Sequence, residues 1–184
     1  MERRPLRVGM LGCGMIALGG QGYAPGMKAM PEKATLVAAC DVDDVRLDVA
    51  RHEFGVAETY HRLDDMLEDR MIDVVLNLTP IPLHGATTLQ MLRAGKHVVT
   101  EKPLATTMDD AHAIVDLARE KGLLVVCAPP DMVEPTRLLA KQLVEEGAIG
   151  QVCFARVRGS HGGPAAGNWP MDPTWFYQEG SGPL

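Results

Sequence analysis

Leu6-Arg7-Val8-Gly9-Met10-Leu11-Gly12-Cys13-Gly14-Met15-Ile16-Ala17, followed downstream by Thr35-Leu36-Val37-Ala38-Ala39-Cys40-Asp41, is the pair of stretches that decides the fold. The first is a short apolar run that breaks on glycines, which reads as a buried strand entering a tight turn. Gly12 permits the turn. Gly14 removes a side chain where backbone must approach a pyrophosphate, and Ala17 fills the third small position, where helix packs on strand. The helix that follows offers free N–H groups to phosphate oxygens. Gly12, Gly14, Met15 and Ile16 are therefore candidate cofactor-binding residues. The bland alternative is a plain glycine turn. The second stretch is an apolar run ending in Asp41, whose carboxylate suits the diol of an adenosine ribose and repels a 2′-phosphate. That favours NAD, while the nearby Arg46 leaves NADP use open. Asp41 as a mere helix cap is the competing reading, and Asp43 is better placed for that task.

Working outward, further apolar runs alternate with helical patterns. Strands are expected at Asp73–Leu78, Lys96–Thr100 and Leu123–Val126, with a short extra one at Glu58–Tyr60. Helices are expected at Asp43–Phe54, Leu63–Glu68, Pro82–Ala94, Thr107–Glu120 and Pro135–Glu146. The strand runs are nearly all apolar, as in strands covered on both faces. Strands and helices joined by short links give an α/β fold, a doubly wound parallel sheet of the Rossmann dinucleotide-binding kind. It is assigned to residues 1–128. Residues 129–184 read as the truncated start of an α+β substrate and oligomerisation domain. Within them Gln151–Arg158 alternates and reads as a half-exposed strand of a second sheet. Gly159–Leu184 is rich in Gly and Pro.

The 184 residues carry 18 Lys and Arg against 24 Asp and Glu, a net charge of −6. No basic run offers a phosphate-tracking face, so nucleic acid is not an expected partner. No stretch approaches the roughly 20 apolar residues that span a bilayer. The basic-then-apolar start is cut by Gly9, Gly12 and Gly14 and lacks a cleavage-like site, so it is not read as a secretion signal. Cys13, Cys40, Cys127 and Cys153 form no CxxC pair and read as buried, reduced thiols of a cytoplasmic protein. No His/Cys/Asp cluster has metal-ligand spacing.

A more specific constellation follows. Asn77-Leu78-Thr79-Pro80 leaves one strand and His84 follows; Ala94-Gly95-Lys96-His97-Val98-Val99-Thr100-Glu101-Lys102-Pro103 closes the next. With the glycine loop and the strand ending in Asp41, this resembles the glucose–fructose oxidoreductase/inositol dehydrogenase family, Gfo/Idh/MocA, over residues ~5–160. The resemblance implies an NAD(P)-dependent oxidoreductase that moves a hydride between nicotinamide and a sugar, polyol or related hydroxylated molecule. It implies that Thr79 and Pro80 line the nicotinamide side, with Asn77 just beneath, and that Glu101 sits near the nicotinamide ribose. Lys102 would assist proton transfer at the substrate hydroxyl. Its alternatives are an ion pair with Glu101 or a surface charge. His84 would lie close to the nicotinamide, or else be a helix-surface or capping residue. His97 reads as structural, and His52, His61 and His112 as solvated.

Three departures from the family pattern stand out. Ala17–Pro31 is glycine-rich, so the start of the first helix is expected to be a loop. The stretch after the last nucleotide-domain strand, Cys127–Leu139, lacks the usual aromatic–Arg–Pro pattern. The chain ends at Gly180-Ser181-Gly182-Pro183-Leu184, where the family continues into a further motif and most of an antiparallel sheet. On this reading the chain alone is inactive, and homo-oligomer contacts arise through the second domain. Trp169, Trp175 and Tyr177 are candidate sugar-stacking residues, with core or interface packing as the alternative. Two other activities stay open: an NAD-dependent glycoside hydrolase or lyase using transient oxidation, and a non-catalytic NAD-binding module. NADH accumulation with substrate separates the first of these from a dehydrogenase.

Overall fold

A computed structural model describes residues 4–20, 22–128 and 134–158. Six strands form one parallel sheet: β1 Leu6–Leu11, β2 Ala34–Cys40, β3 Glu58–Tyr60, β4 Val74–Asn77, β5 His97–Thr100 and β6 Val125–Cys127. Their order is β3-β2-β1-β4-β5-β6. The sheet therefore grows outward in both directions from β1, and the reversal falls between β1 and β4. In such sheets ligands bind outside the carboxyl ends of the strands at that reversal.

Helices cover both faces. They are α1 Met15–Leu18, α2 Tyr23–Lys28, α3 Asp44–Phe54, α4 Leu63–Leu67, α5 His84–Arg93 and α6 Met108–Lys121, with a 3-10 turn at Ile81–Leu83. Alternate strand residues feed two apolar layers. Met10 and Leu76 join Ala17, Leu47 and Ala50 on one face. Leu11 and Val75 join Met66, Met91, Leu92 and Ile114 on the other. Local chemistry sets the helix starts. Asp43 caps α3 by accepting from the amides of Val45 (2.9 Å) and Arg46 (3.4 Å), and Thr107 caps α6 through the Asp110 amide at 3.1 Å. His97 Nδ1 accepts the Leu124 amide at 3.0 Å, a structural task.

Four expectations need correction. Gln151–Arg158 forms no strand; every one of its residues is exposed and none pairs with the sheet. A period of two marks a strand only where a neighbouring ladder exists to accept it. The first helix is helical at its start and breaks afterwards: α1 stops at Gly19, and α2 begins only after Gly22. A Cβ on Gly22 would stand 2.6 Å from the Ile16 carbonyl oxygen, so the chain folds back there only with glycine. Of the cysteines, Cys13 and Cys40 are buried and Cys127 and Cys153 exposed, all four as free thiols. Asp73 lies outside β4 and instead binds Arg4 and Arg7 below the sheet. A further helix, α7 Pro135–Glu145, buries no residue. Among the described residues no helix is long and apolar enough to cross a membrane.

Candidate functional site

The strand register aligns one row of residues across the carboxyl edge of the sheet. Tyr60, Cys40, Leu11, Asn77, Thr100 and Cys127 are successive partners. The residues that follow the first five in sequence, His61, Asp41, Gly12, Leu78 and Glu101, all line one cavity of about 630 Å³. Gly14, Met15, Ile16, Thr79, Pro80, His84 and Lys102 complete its expected wall. Asn77 does not line it; Trp169, Trp175 and Tyr177 are the other three candidates. The last three lie outside the described residues.

At the reversal point, Gly12 has φ +88°, and a Cβ there would stand 2.6 Å from the Leu78 carbonyl oxygen. This is the position at which the β1 and β4 exits nearly touch, and only glycine fits. Gly14 differs. Its backbone is extended at φ −77°, and a Cβ would meet nothing within 4 Å. The protein's own packing does not demand glycine at 14; the empty space before it is cavity. The Ala17 and Leu18 amides donate back to the Gly14 carbonyl at 3.0 and 2.9 Å, which leaves the Met15 and Ile16 N–H groups without a backbone acceptor among the described residues. A diphosphate fits this cradle, with backbone on one side and open space on the other.

Asp41 is nearly buried, at 7% exposure. Its Oδ2 accepts the Cys13 amide at 2.6 Å, and its Oδ1 the Asp43 amide at 3.0 Å. The carboxylate thus fixes the glycine loop against the end of β2. Each oxygen retains capacity for a further hydrogen bond on the cavity side. Arg46 lies 3.7 Å from Asp41 Oδ2 and 3.5 Å from Asp43 Oδ2. His61 stands at the same end, 3.3 Å from Asp44. Sequence reasoning took His61 for a solvated residue. Exposed it is, but its place immediately after β3, in register with Asp41, puts it on the cavity wall. Burial, then the Asp41 charge, pushes the Cys13 thiol up to about 12, so this sulfur stays a neutral packing group.

At the other end, Asn77 is fully buried. Its Nδ2 donates to Thr87 Oγ1 (2.8 Å), Thr88 Oγ1 (3.0 Å) and the His84 carbonyl (3.2 Å), and its Oδ1 accepts from Thr79 Oγ1 at 2.8 Å. It lies beneath Thr79 and orders the start of α5 rather than facing the cavity. His84 is 1% exposed. Its Nδ1 lies 2.7 Å from the Pro103 carbonyl oxygen and its Nε2 2.8 Å from that of Thr79. The ring therefore ties the β4 exit to the β5 exit. Lys102 is exposed at the rim. The Glu101 carboxylate turns to the Tyr23 hydroxyl at 2.9 Å and the Lys102 amide at 3.2 Å. Besides the wall residues Val42, Leu63, Ile81, Leu83, Thr87 and Gln90, His61 on the wall and Tyr23 behind Glu101 are not among the expected site residues.

Residues 6–128 match the oxidoreductase family with an NAD-binding Rossmann fold, GFO_IDH_MocA. The chain belongs to the Gfo/Idh/MocA family. It is 37% identical over 150 residues to a dTDP-3,4-didehydro-2,6-dideoxy-α-D-glucose 3-reductase of Streptomyces violaceoruber, a match covering 81% of this chain and 42% of the relative. It superimposes on the WlbA dehydrogenase of Bordetella pertussis, solved with NADH and UDP-GlcNAcA, with TM-score 0.74 and 29% identity over 82% of this chain and 42% of that one. A 3-ketoreductase of Actinomadura kijaniata, solved with NADP, gives TM-score 0.71 and 32% identity over 80% and 46%. The Gfo/Idh/MocA chain described here spans less than half the length of the curated relatives it matches. Its fold is the nucleotide-binding part that they share.

Proposed function

We propose that the chain is the cofactor half of an NAD(P)-dependent dehydrogenase or reductase acting on a sugar, polyol or similar hydroxylated ring. One observation carries the reading. The Gly12–Gly14 cradle, the Asp41 carboxylate and the Glu101–Lys102 turn share a single cavity at the topological reversal of the sheet. Gly14, Met15 and Ile16 hold the diphosphate and Asp41 the adenosine ribose, with Val42 and Leu63 as apolar wall at that end. Thr79, Pro80 and His84 belong to the nicotinamide end. Arg46 is shared between two carboxylates, Asp41 and Asp43, which leaves it poorly placed to receive a 2′-phosphate and favours NAD over NADP. When bound, the nicotinamide supplies the hydride chemistry.

Lys102 stands on the exposed side of that end and moves the proton at the substrate oxygen. The relatives' substrates, a dTDP-sugar, levoglucosan and scyllo-inositol, are ring compounds with hydroxyl or keto groups, and this class is carried over here. Residues 1–128 form the nucleotide-binding domain, and 129–184 open the substrate domain through which copies associate. The protein works in the cytoplasm.

Titration with NAD and NADP, and turnover of a polyol and sugar panel followed through the nicotinamide absorbance in the protein that carries this chain, test the reading together. Lys102→Ala is expected to lower kcat by roughly 10²-fold or more and leave the NAD dissociation constant nearly unchanged. Tighter NADP than NAD binding overturns the cofactor preference, and near-normal kcat in the variant removes Lys102 from the chemistry.

A further inference from the structure

The glycine break between α1 and α2 has a consequence at the far end of the cavity. Because the chain folds back at Gly22, Tyr23 becomes the first residue of α2, and its hydroxyl reaches across to the exit of β5. There it donates to Glu101 Oε1 at 2.9 Å. Glu101 is itself pinned by its backbone, whose amide donates to the Asn77 carbonyl at 3.0 Å. Its other carboxylate oxygen, Oε2, accepts the Lys102 amide at 3.2 Å. Glu101 and Lys102 both line the cavity, whereas Tyr23 does not.

We propose that Tyr23 is a positioning residue for the nicotinamide end of the site: it holds the Glu101 carboxylate in the one orientation that keeps Oε2 beside Lys102 and available to the ribose hydroxyls of a bound dinucleotide. The assignment rests on the cofactor reading above and adds to it the group that sets Glu101.

A glutamate side chain has three rotatable torsions, and fixing it costs conformational entropy at each binding event unless the protein fixes it beforehand. A neutral O–H donor to an ionised carboxylate is among the stronger hydrogen bonds. The donor is also permanent: burial, followed by the Glu101 charge, pushes the Tyr23 hydroxyl well above its ordinary range, so it keeps its proton. In its absence the carboxylate is free to swing onto the nearest cation. Lys102 is the next residue in the chain, and an ion pair between the two side chains would withdraw the charge from the ribose and the amine from the substrate together.

The test uses this chain with four sequences: the parent, Tyr23→Phe, Glu101→Gln and the double variant. Each is titrated with NAD and with ADP, which lacks the nicotinamide ribose and reports only the Gly12–Asp41 end. Tyr23→Phe is expected to weaken NAD about tenfold, the scale of a hydrogen bond to a charged group, while ADP binding stays as in the parent. In the Glu101→Gln background the same substitution is expected to add almost nothing, because the two residues act through one contact. Equal losses for NAD and ADP would make Tyr23 a general structural residue and overturn the proposal. Additive losses, or no loss, also overturn it. A parent that binds neither ligand overturns the cofactor reading itself, an outcome distinct from a parent that binds both and a variant that loses both alike.

Discussion

Helices α6 and α7 look alike as sequence and lie in opposite surroundings. α6 spans Met108–Lys121 and buries Ile114 completely, with Ala118 beside it. It closes the layer that holds Met91, Leu92 and Val98. α7 spans Pro135–Glu145 and carries Leu138, Leu139, Leu143 and Val144, yet each of these is more than two-fifths exposed. Both helices have a sound local start, Thr107 as a cap for α6 and a proline in the first turn of α7. α7 adds surface pairs along its side, Lys141 with Glu145 and Gln142 with Glu146. The difference teaches that a helical pattern in sequence reports local preference and one apolar face, but not what that face meets. A short helix in water is marginal by itself, and tertiary burial supplies most of its stability.

Hydrogen exchange and core truncation together distinguish the two helices. The amides of α6 are expected to exchange only through near-global opening, and those of α7 orders of magnitude faster by local opening. Ile114→Ala should cost about 3 kcal/mol of unfolding free energy, the usual toll of a buried isoleucine truncated to alanine. Leu139→Ala should stay within about 0.5 kcal/mol, as for an exposed position. Equal protection of the two helices, or a Leu139→Ala cost near that of Ile114→Ala, would show that α7 has a partner surface in solution. Association of the chain through its exposed apolar positions would be such a partner, and a concentration series in the ultracentrifuge detects it.

A second contrast divides the packed region itself into residues that serve the fold and residues that serve the cavity. Gly12→Ala places a side chain on a left-handed backbone and against the Leu78 carbonyl. It is expected to cost about 2–3 kcal/mol of stability. Gly14→Ala meets no protein atom and should cost under about 1 kcal/mol, yet its methyl group would stand in the proposed phosphate path and should weaken NAD at least about tenfold. Calorimetric unfolding and NAD titration of both variants give the answer. A Gly14→Ala protein that is unstable, or one that binds NAD normally, would show that the open space in front of this residue is not the cradle.

The same division explains what was legible in the sequence. β1, β2, β4 and β5 are continuous apolar runs because both faces of each are covered, and Gly12, Gly14, Asp41 and the Glu101–Lys102 turn fall where those runs stop. Strand ends and the site coincide in this fold, so one pattern reveals both. Tyr23 escaped because nothing local announces that a residue after a glycine break will reach β5. Its signal is a polar-tipped aromatic, the one aromatic residue of a glycine-rich segment. His61 was within reach: β3 was expected, and stepping one residue past its end in the parallel register leads to Asp41. Asn77, expected beneath Thr79 and among the cofactor contacts, is buried, with Oδ1 accepting from Thr79 and Nδ2 turned to the start of α5; sequence does not tell a side chain that faces a cavity from one that supports its wall. Gln151–Arg158 misled for the opposite reason. Its alternation is real, but no ladder among the described residues receives it.

The smallest effect concerns the edge of the sheet opposite the site, where charge rather than apolar burial joins β1 to β4. Arg4 donates to Asp73 from Nη1 at 2.6 Å and from Nη2 at 2.9 Å. Arg7 adds Nη2 at 2.9 Å, Nε at 3.3 Å and its own backbone amide at 2.9 Å. The Arg4 hydrogen bonds, then those of Arg7, hold the Asp73 carboxyl far below the usual carboxylate range. A folded-state pKa below the unfolded value of about 3.9 means that the unfolded chain takes up the proton first. The contribution is therefore complete well above pH 4 and is lost as the pH falls below it. The Arg4 side chain is 60% exposed, so solvent screens the pair and its contribution is well below that of a buried one. Stability measured by urea unfolding should be level from neutral pH to about pH 5 and then decline, and Asp73→Asn should be less stable at neutral pH and decline less steeply on acidification. Added salt should narrow the gap between parent and variant at neutral pH. If the variant follows the parent's acid limb unchanged, the decline belongs to other carboxylates, and the β1–β4 edge is held by its backbone ladder alone. Because α7 contributes no buried surface, its exchange rates should not follow this acid limb after correction for intrinsic chemistry, whereas those of α6 should. That divergence would tie the charge cluster to the packed region and leave α7 outside its cooperative unit.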